Sequence, residues 1–149
     1  MDDLYNDLIM EHSMNSPYKK DLKCCSMCAM GHNPNCGDEL QIEIKLSEDK
    51  KVIEDMAFTG HGCAISQASA SIMIETLKGK TVDEAREIIK TYIAMIKREE
   101  QDPEQLKKIE DAIAFKNISN MPARVKCALL AWHTLEDMLN DNTKEENKI

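Results

Sequence analysis

The chain has 149 residues, a length suited to one domain, and 42% of them are apolar while only 4% are aromatic. Its core must therefore be mostly aliphatic, with ten methionines as adaptable filler. A formal net charge of −8 argues against nucleic acid or an anionic membrane as the main partner. The apolar runs are too short to cross a bilayer, and the first residues do not resemble a secretory signal. We therefore expect a cytoplasmic protein whose six cysteines are thiols or metal ligands rather than disulfides.

The N-terminal half is predicted to contain one short helix and an antiparallel hairpin. Apolar residues at helical spacing indicate an amphipathic helix over residues 3–12, and the Ser-, Pro- and Asn-containing stretch from Asn15 to Gly37 indicates a long loop. Residues 40–46 alternate between apolar and polar, as a half-buried strand does. A second strand is predicted from Val52 to Phe58, running up to the corner Gly60-His61-Gly62. Together they form a hairpin with one face in water.

The C-terminal half is predicted to be helical. Gly79 stands where a helix C-terminus needs a left-handed residue, Thr81-Val82-Asp83-Glu84 matches a capping box, and Asp102-Pro103 is a typical helix start. Strands followed by helices indicate an α+β domain with two or three strands. The predicted helices cover residues 64–78, 81–96, 102–115 and 122–139, within a single domain of residues 1–139 that is followed by a polar, frayed tail at 140–149.

Four residues that can bind metal lie at the ends of these elements. Cys36 and Asp38 precede the first predicted strand, Cys63 begins a helix, and Cys127 lies in the first turns of the last helix. Helix N-termini favour the thiolate form of cysteine, which is the form that binds metal and attacks sulfur. Three thiolates and a carboxylate would complete a tetrahedral zinc site, or could hold an iron–sulfur cluster. Separate single cysteines are also often buried apolar residues, so spacing alone leaves these alternatives open.

Three sequence motifs, each containing one of these cysteines, resemble the U-type iron–sulfur assembly scaffolds. These are the IscU, SufU and NifU N-terminal proteins, and the motifs are residues 33–38 (NPNCGD), 60–69 (GHGCAISQAS) and 121–128 (MPARVKCA). The resemblance extends from about Tyr5 to Leu139. It implies a small antiparallel sheet of about three strands with helices packed on one face, in agreement with the elements above.

The chain is most similar to the SufU type, because Lys126 stands where Isc-type members have a histidine and the stretch before Cys127 is longer. The resemblance implies a site made of Cys36, Asp38, Cys63 and Cys127. In SufU-type proteins this site binds Zn²⁺, and the first cysteine accepts sulfane sulfur from a cysteine desulfurase. In Isc- and Nif-type members it assembles a transient [2Fe–2S] cluster for apo iron–sulfur proteins or downstream carriers. A zinc-dependent sulfurtransferase that never holds a cluster is the alternative function.

Further residues near the motifs are weaker candidates. Arg124 and Lys126 add positive charge beside Cys127, and we expect them to stabilise a free thiolate. Cys36 is expected to be the sulfur acceptor, because its loop is bounded by Pro34 and Gly37 and can move at less cost than a helix start. Cys28, in the segment Cys24-Cys25-Ser26-Met27-Cys28, either adds a ligand, relays sulfur or helps to bind a bridging cluster, or it is an incidental loop thiol. His32, His61 and the serines at 66, 69 and 71 are not expected to act as ligands or nucleophiles.

Overall fold

A three-stranded antiparallel sheet in the order β1-β2-β3 carries its helices on one face, as predicted. The computed structural model describes residues 7–22, 26–34 and 37–148, with side chains through residue 140. The elements in chain order are α1 (Asp7–Met14), β1 (Met27–Asn33), β2 (Asp38–Leu46), β3 (Ile53–His61), α2 (Ala64–Leu77), α3 (Val82–Ile96), α4 (Pro103–Leu106), a 3₁₀ segment (Lys107–Asn120) and α5 (Pro122–Lys148).

The central strand β2 follows the predicted alternation. Leu40, Ile42 and Ile44 are fully buried against the helices, while Glu39, the residue before them, faces the opposite, outer side of the sheet. The outer face is not wet along its whole length, because Glu43 is buried there and accepts a hydrogen bond from the Leu22 N–H (2.7 Å). Elsewhere this face is open to solvent, since Glu39 near one end of β2 and Lys45 near the other are both exposed.

Strand β1 lies inside the stretch from Asn15 to Gly37, so the prediction of one continuous loop there is wrong. The strand pairs with β2 from Met27 opposite Ile44 to Asn33 opposite Asp38. Its sequence has low strand propensity because it includes Gly31, yet this glycine is needed. A side chain at position 31 would collide with the Thr134 hydroxyl of α5, so tertiary packing and the β2 backbone define the strand.

Local signals predicted the boundaries of α2 and α3 well. Helix α2 ends at Leu77, and Gly79 has the left-handed backbone (φ 87°) expected just after a helix. The capping box at the start of α3 is present, with Thr81 and Glu84 each accepting the other's backbone N–H at 3.1 Å. These hydrogen bonds lower the pKa of Glu84 below its usual value.

The charged segment after Asp102 is not the regular α-helix that the sequence predicts. As expected, Asp102 is the N-cap residue and Pro103 lies in the first turn. However, α4 ends after four residues, and the chain continues as a 3₁₀ segment that is interrupted at Glu110 (φ 50°, ψ −124°). The 3₁₀ geometry agrees with the spacing of the residues that the segment buries. One residue in three is buried, which matches the 3.0 residues per turn of a 3₁₀ helix: Ile109, Ala112, Phe115 and Ile118.

Helix α5 is anchored to α2 and α3 by a buried aromatic and polar cluster. The Trp132 ring stacks on Tyr92 with centroids 3.8 Å apart, and its Nε1 donates to Ser69 Oγ (3.0 Å). Ser69 and Tyr92 both donate their hydroxyl protons to the carbonyl of Ala128, at 2.7 and 2.9 Å. Burial raises the pKa of Tyr92 far above its usual value, so it remains a neutral donor. The cluster fixes the helix turn that carries Cys127.

At its C-terminal end, α5 continues to Lys148, across the segment for which the sequence predicts a frayed tail. Among the residues that the structure describes, none of the helices is both long enough and apolar enough to span a membrane.

Candidate metal centre

Three of the four predicted ligands come together at one end of the sheet. One carboxylate oxygen of Asp38 and the sulfur atoms of Cys63 and Cys127 all lie within 4.8 Å of one another. Asp38 begins β2, Cys63 immediately precedes α2, and Cys127 lies in the second turn of α5. Asp38 and Cys127 are fully buried, whereas Cys63 is half-buried and gives the cluster contact with solvent.

Cys63 is the N-cap residue of α2. Its sulfur accepts from the backbone N–H of Ser66 at 3.5 Å, the contact that a serine or aspartate makes at a helix start. The unpaired N–H groups and the positive end of the helix dipole stabilise negative charge at this sulfur. The start of α2 therefore presents the Cys63 sulfur at a helix N-terminus, a position that suits a metal ligand.

Asp38 is held by two hydrogen bonds from the same helix start. Its Oδ1 accepts from the Cys63 N–H (2.9 Å), and its Oδ2 accepts from the Ser66 hydroxyl (2.5 Å). Position 62 must be glycine for this arrangement, because a Cβ there would lie 2.8 Å from Oδ1. Each carboxylate oxygen has a second lone pair, so the anchored carboxylate can still bind an ion.

Cys127 is held from both sides. The side-chain amide of Asn33, at the end of β1, donates to its sulfur at 3.9 Å, and Asn33 is itself buried. The next residue, Ala128, receives the two hydroxyl hydrogen bonds that join α5 to α2 and α3. Contacts from β1, α2 and α3 therefore fix the position of the Cys127 sulfur.

The donor set suits a zinc ion or an iron–sulfur cluster. Two thiolates and one carboxylate supply three of the four ligands that a tetrahedral zinc site requires, and thiolates are also the usual ligands of iron–sulfur clusters. The fourth predicted ligand, Cys36, lies outside the described residues, separated from Asp38 by Gly37 alone. We therefore describe the group formed by Asp38, Cys63 and Cys127 as the inner cluster.

The other predicted site residues take different positions. Arg124 is half-buried and Lys126 is exposed, in the turn of α5 that leads to Cys127. Lys126 lines a groove of about 580 Å³ between β1 and α5, together with Asn33 and His133. The groove therefore borders the inner cluster.

The structure does not bring Cys28 to the inner cluster. Cys28 is exposed on the outer face of β1, opposite Glu43, whereas Asn33 at the site end of the same strand is buried on the inner side. Five residues of strand separate the two, which is about 17 Å at 3.3 Å per residue. Cys24 and Cys25 lie outside the described residues.

Sequence analysis missed Ser66 and Asn33 as parts of the site. Ser66 was expected only to pack, yet its hydroxyl holds Asp38. A signal exists for Ser66, because it follows Cys63 by three residues and a side chain at this helical position points back to the cap. Asn33 begins the motif at residues 33–38, but its contact to Cys127 depends on how β1 packs against α5 and cannot be obtained from local spacing.

Comparisons with known proteins agree with the fold and identify the family. The family model described as NifU-like N terminal domain matches residues 4–128. The chain is 38% identical over 136 residues to the zinc-dependent sulfurtransferase SufU of Bacillus subtilis, covering 91% of this chain and 89% of that protein. It is 35% identical over 136 residues to the iron–sulfur cluster assembly scaffold protein IscU of Thermotoga maritima, covering 91% and 92%.

Solved structures give the same result. A crystal structure described as an iron–sulfur cluster assembly scaffold protein for the SUF system of Fervidobacterium islandicum superposes with a TM-score of 0.83 at 38% identity, covering 93% of this chain and 98% of that one. The N-terminal part of a NifU-like protein from Brucella abortus gives 0.80 at 28% identity, covering 91% and 92%. The predicted resemblance is confirmed, and the chain belongs to the NifU-like N-terminal domain family of iron–sulfur assembly scaffolds.

Proposed function

We propose that this chain accepts sulfane sulfur from a cysteine desulfurase at Cys36 and passes on sulfur or an assembled [2Fe–2S] cluster to recipient proteins. The observation that carries the proposal is that the ligand atoms of Asp38, Cys63 and Cys127 lie within 4.8 Å of one another. Cys36 precedes Asp38 by two residues in the sequence. The cytoplasm is the compartment we propose, because its reducing conditions keep such thiols free.

The residues of the inner cluster have distinct roles in this proposal. Cys63 and Cys127 are fixed ligands, because a helix cap and a buried helix turn hold them. Asp38 is a harder ligand than a thiolate, and we expect it to hold iron less firmly and so to favour release of a cluster. Together with Cys36 they would hold Zn²⁺, which when bound keeps coordinating thiols deprotonated. Iron and the assembled cluster are cargo.

The sulfur transfer itself is an exchange between thiols. The Cys36 thiolate attacks the outer sulfur of the desulfurase persulfide, a new S–S bond forms, and the old S–S bond breaks. Cys36 then carries the persulfide with its proton, and the desulfurase cysteine leaves as a thiolate, so no external oxidant or reductant is needed. Arg124 and Lys126 would stabilise the attacking thiolate, and Lys126 lines the groove that a partner would enter.

A zinc-dependent sulfurtransferase that never holds a cluster is the second candidate. It is favoured by Lys126, which replaces the Isc-type histidine, and by the 38% identity to the Bacillus protein of that name. One measurement distinguishes the two functions. Anaerobic reconstitution with iron and sulfide should give the visible absorption of a [2Fe–2S] cluster for the scaffold, and a colourless zinc protein for the sulfurtransferase.

Mass spectrometry tests the acceptor directly. After incubation with a cysteine desulfurase and cysteine, we expect one added sulfur on the peptide containing Cys36. The Cys36→Ser variant should lose the adduct, and the matched variant Cys28→Ser should keep it, because Cys28 is an exposed thiol outside the inner cluster. An adduct confined to Cys24, Cys25 or Cys28, with Cys36→Ser fully competent, would overturn the assignment.

A further inference from the structure

A row of three ionisable side chains crosses the outer face of the sheet at its site end. His32 on β1 lies directly opposite Glu39 on β2, and Glu39 lies directly opposite His61 on β3. Directly opposite residues point to the same face of a sheet, with Cβ atoms about 4.5–5.5 Å apart. All three residues are exposed, and the side chains of Glu39 and His61 retain 50% and 72% of their accessible surface.

Two of the three side chains already stand at ligand separation. His61 Nε2 lies 3.5 Å from Glu39 Oε2. Two donors bound at 2.0–2.1 Å to one tetrahedral zinc ion are about 3.4 Å apart, so this contact needs little change to hold a cation. His32 flanks Glu39 on the other side at one strand spacing, and an exposed side chain reorients within nanoseconds.

We propose that His32, Glu39 and His61 bind a divalent first-row transition-metal ion on the outer face of the sheet. Two imidazoles and one carboxylate are the donors that suit Zn²⁺, Fe²⁺, Co²⁺ and Ni²⁺. Three protein ligands leave the remaining positions to water, which makes the bound ion exchangeable rather than structural.

This outer row is separate from the inner cluster although the two are neighbours in sequence. Glu39 directly follows Asp38, and alternate residues of a strand point to opposite faces. Asp38 is therefore buried on the helix side while Glu39 is exposed on the other side. The two sets also differ in chemistry, because only the inner cluster contains thiols. A bound ion can therefore be assigned to one set or the other by spectroscopy.

The test is a titration of the full-length chain with Co²⁺, followed by two signals. Near-ultraviolet thiolate-to-cobalt absorption reports the inner cluster. Paramagnetic broadening of the imidazole proton resonances of His32 and His61 reports the outer row when it depends on the Co²⁺ concentration differently from that absorption, because His61 lies only two residues from Cys63. We expect both histidines to broaden together with one dissociation constant. His32→Gln, His61→Gln and Glu39→Gln should each weaken that binding at least about tenfold, the scale of losing even an indirect metal contact. The thiolate absorption should stay unchanged.

His133→Gln is the matched control. His133 makes the same 3.5 Å contact to a glutamate, Glu136, but as a pair on one helix. We expect this variant to leave the binding at His32 and His61 unchanged. The proposal is overturned if His32 and His61 do not broaden together, if the three outer variants bind Co²⁺ like the wild type, or if His133→Gln weakens binding equally. Because the three residues are exposed, thermal unfolding of each variant should match that of the wild type.

Discussion

The inner cluster and the outer row occupy the same end of one sheet, yet they are prepared for metal in opposite ways. Asp38 is fully buried, and two hydrogen bonds set the orientation of its carboxylate before any ion binds. Glu39 is half-exposed, and its ion-pair contact to His61 is 3.5 Å long. Neighbouring residues of one strand can therefore have one carboxylate fixed in position and one free to adapt, because the pleat places them in different surroundings.

The largest effect that separates the two sets should come from removing an inner thiol. We expect Cys63→Ala and Cys127→Ala to weaken Co²⁺ binding at the inner cluster more than about a hundredfold, because a lost ligand should cost more than a lost indirect contact. The thiolate absorption should fall, while broadening at His32 and His61 should persist. Each hundredfold loss in affinity removes about 2.7 kcal/mol of metal-dependent stability, which thermal unfolding measures.

Cys28→Ala is the control for these variants. Its thiol is exposed on the outer face and outside the inner cluster, so metal affinity and the unfolding temperature should match the wild type. Equal losses in Cys28→Ala and Cys63→Ala would show that binding follows the number of thiols and not the geometry of the cluster.

A smaller effect should come from one methyl group at Gly62. Gly62→Ala places a Cβ 2.8 Å from Asp38 Oδ1, so the carboxylate must move. We expect about tenfold weaker metal binding at the inner cluster, on the scale of a lost orienting contact. Gly79→Ala is the matched comparison. An alanine in the left-handed conformation of Gly79 costs about 1 kcal/mol of stability, but nothing lies within 4 Å of the new Cβ. Isothermal titration with Zn²⁺ should show normal affinity for Gly79→Ala, and equal weakening in both variants would refute a specific effect on Asp38.

The smallest effect concerns the lifetime of a cluster at the inner site. Asp38→Ala removes a hard oxygen ligand, and we expect a reconstituted cluster to persist several-fold longer in air and to transfer more slowly. The variant Asp38→Asn separates the loss of the negatively charged ligand from the loss of the hydrogen bond to the start of α2, because the asparagine amide oxygen can still accept the Cys63 N–H. Decay of the visible absorption measures both variants. Wild-type lifetimes in the two variants would show that Asp38 does not set cluster release.

Local sequence signals predicted much of the fold. The Thr81–Glu84 capping box, Gly79 after α2 and the alternation of β2 depend on neighbours a few residues away, so the sequence shows them directly. Strand β1 was missed because its pairing and its contact to Thr134 are long-range. The 3₁₀ segment was harder to predict, because Ile113 and Ala114 are apolar as well and hide the three-residue spacing of the residues that are buried in the structure.

The geometry of the inner cluster was harder to predict than the identity of its three residues. Motif resemblance named Asp38, Cys63 and Cys127, but the hydrogen bonds that orient them join residues far apart in sequence. Ser66 reaches Asp38 across 28 positions and Asn33 reaches Cys127 across 94. The outer row depends on strand register, since His32 and His61 face Glu39 only because β1 and β3 pair with β2 at that position. Register across three strands cannot be obtained without knowing that β1 exists.

The inner cluster also has a consequence for chain entropy. Its ligands come from a strand, a helix cap and a distant helix turn, so an ion bound to all three closes two long loops of the chain. Closing such loops is costly for an unfolded chain, and a ligand set that forms only in the folded state stabilises that state. A bound ion or cluster therefore acts as a removable crosslink. Each release of cargo to a recipient would leave the domain less stable until the site is refilled, so delivery and resistance to unfolding are thermodynamically coupled.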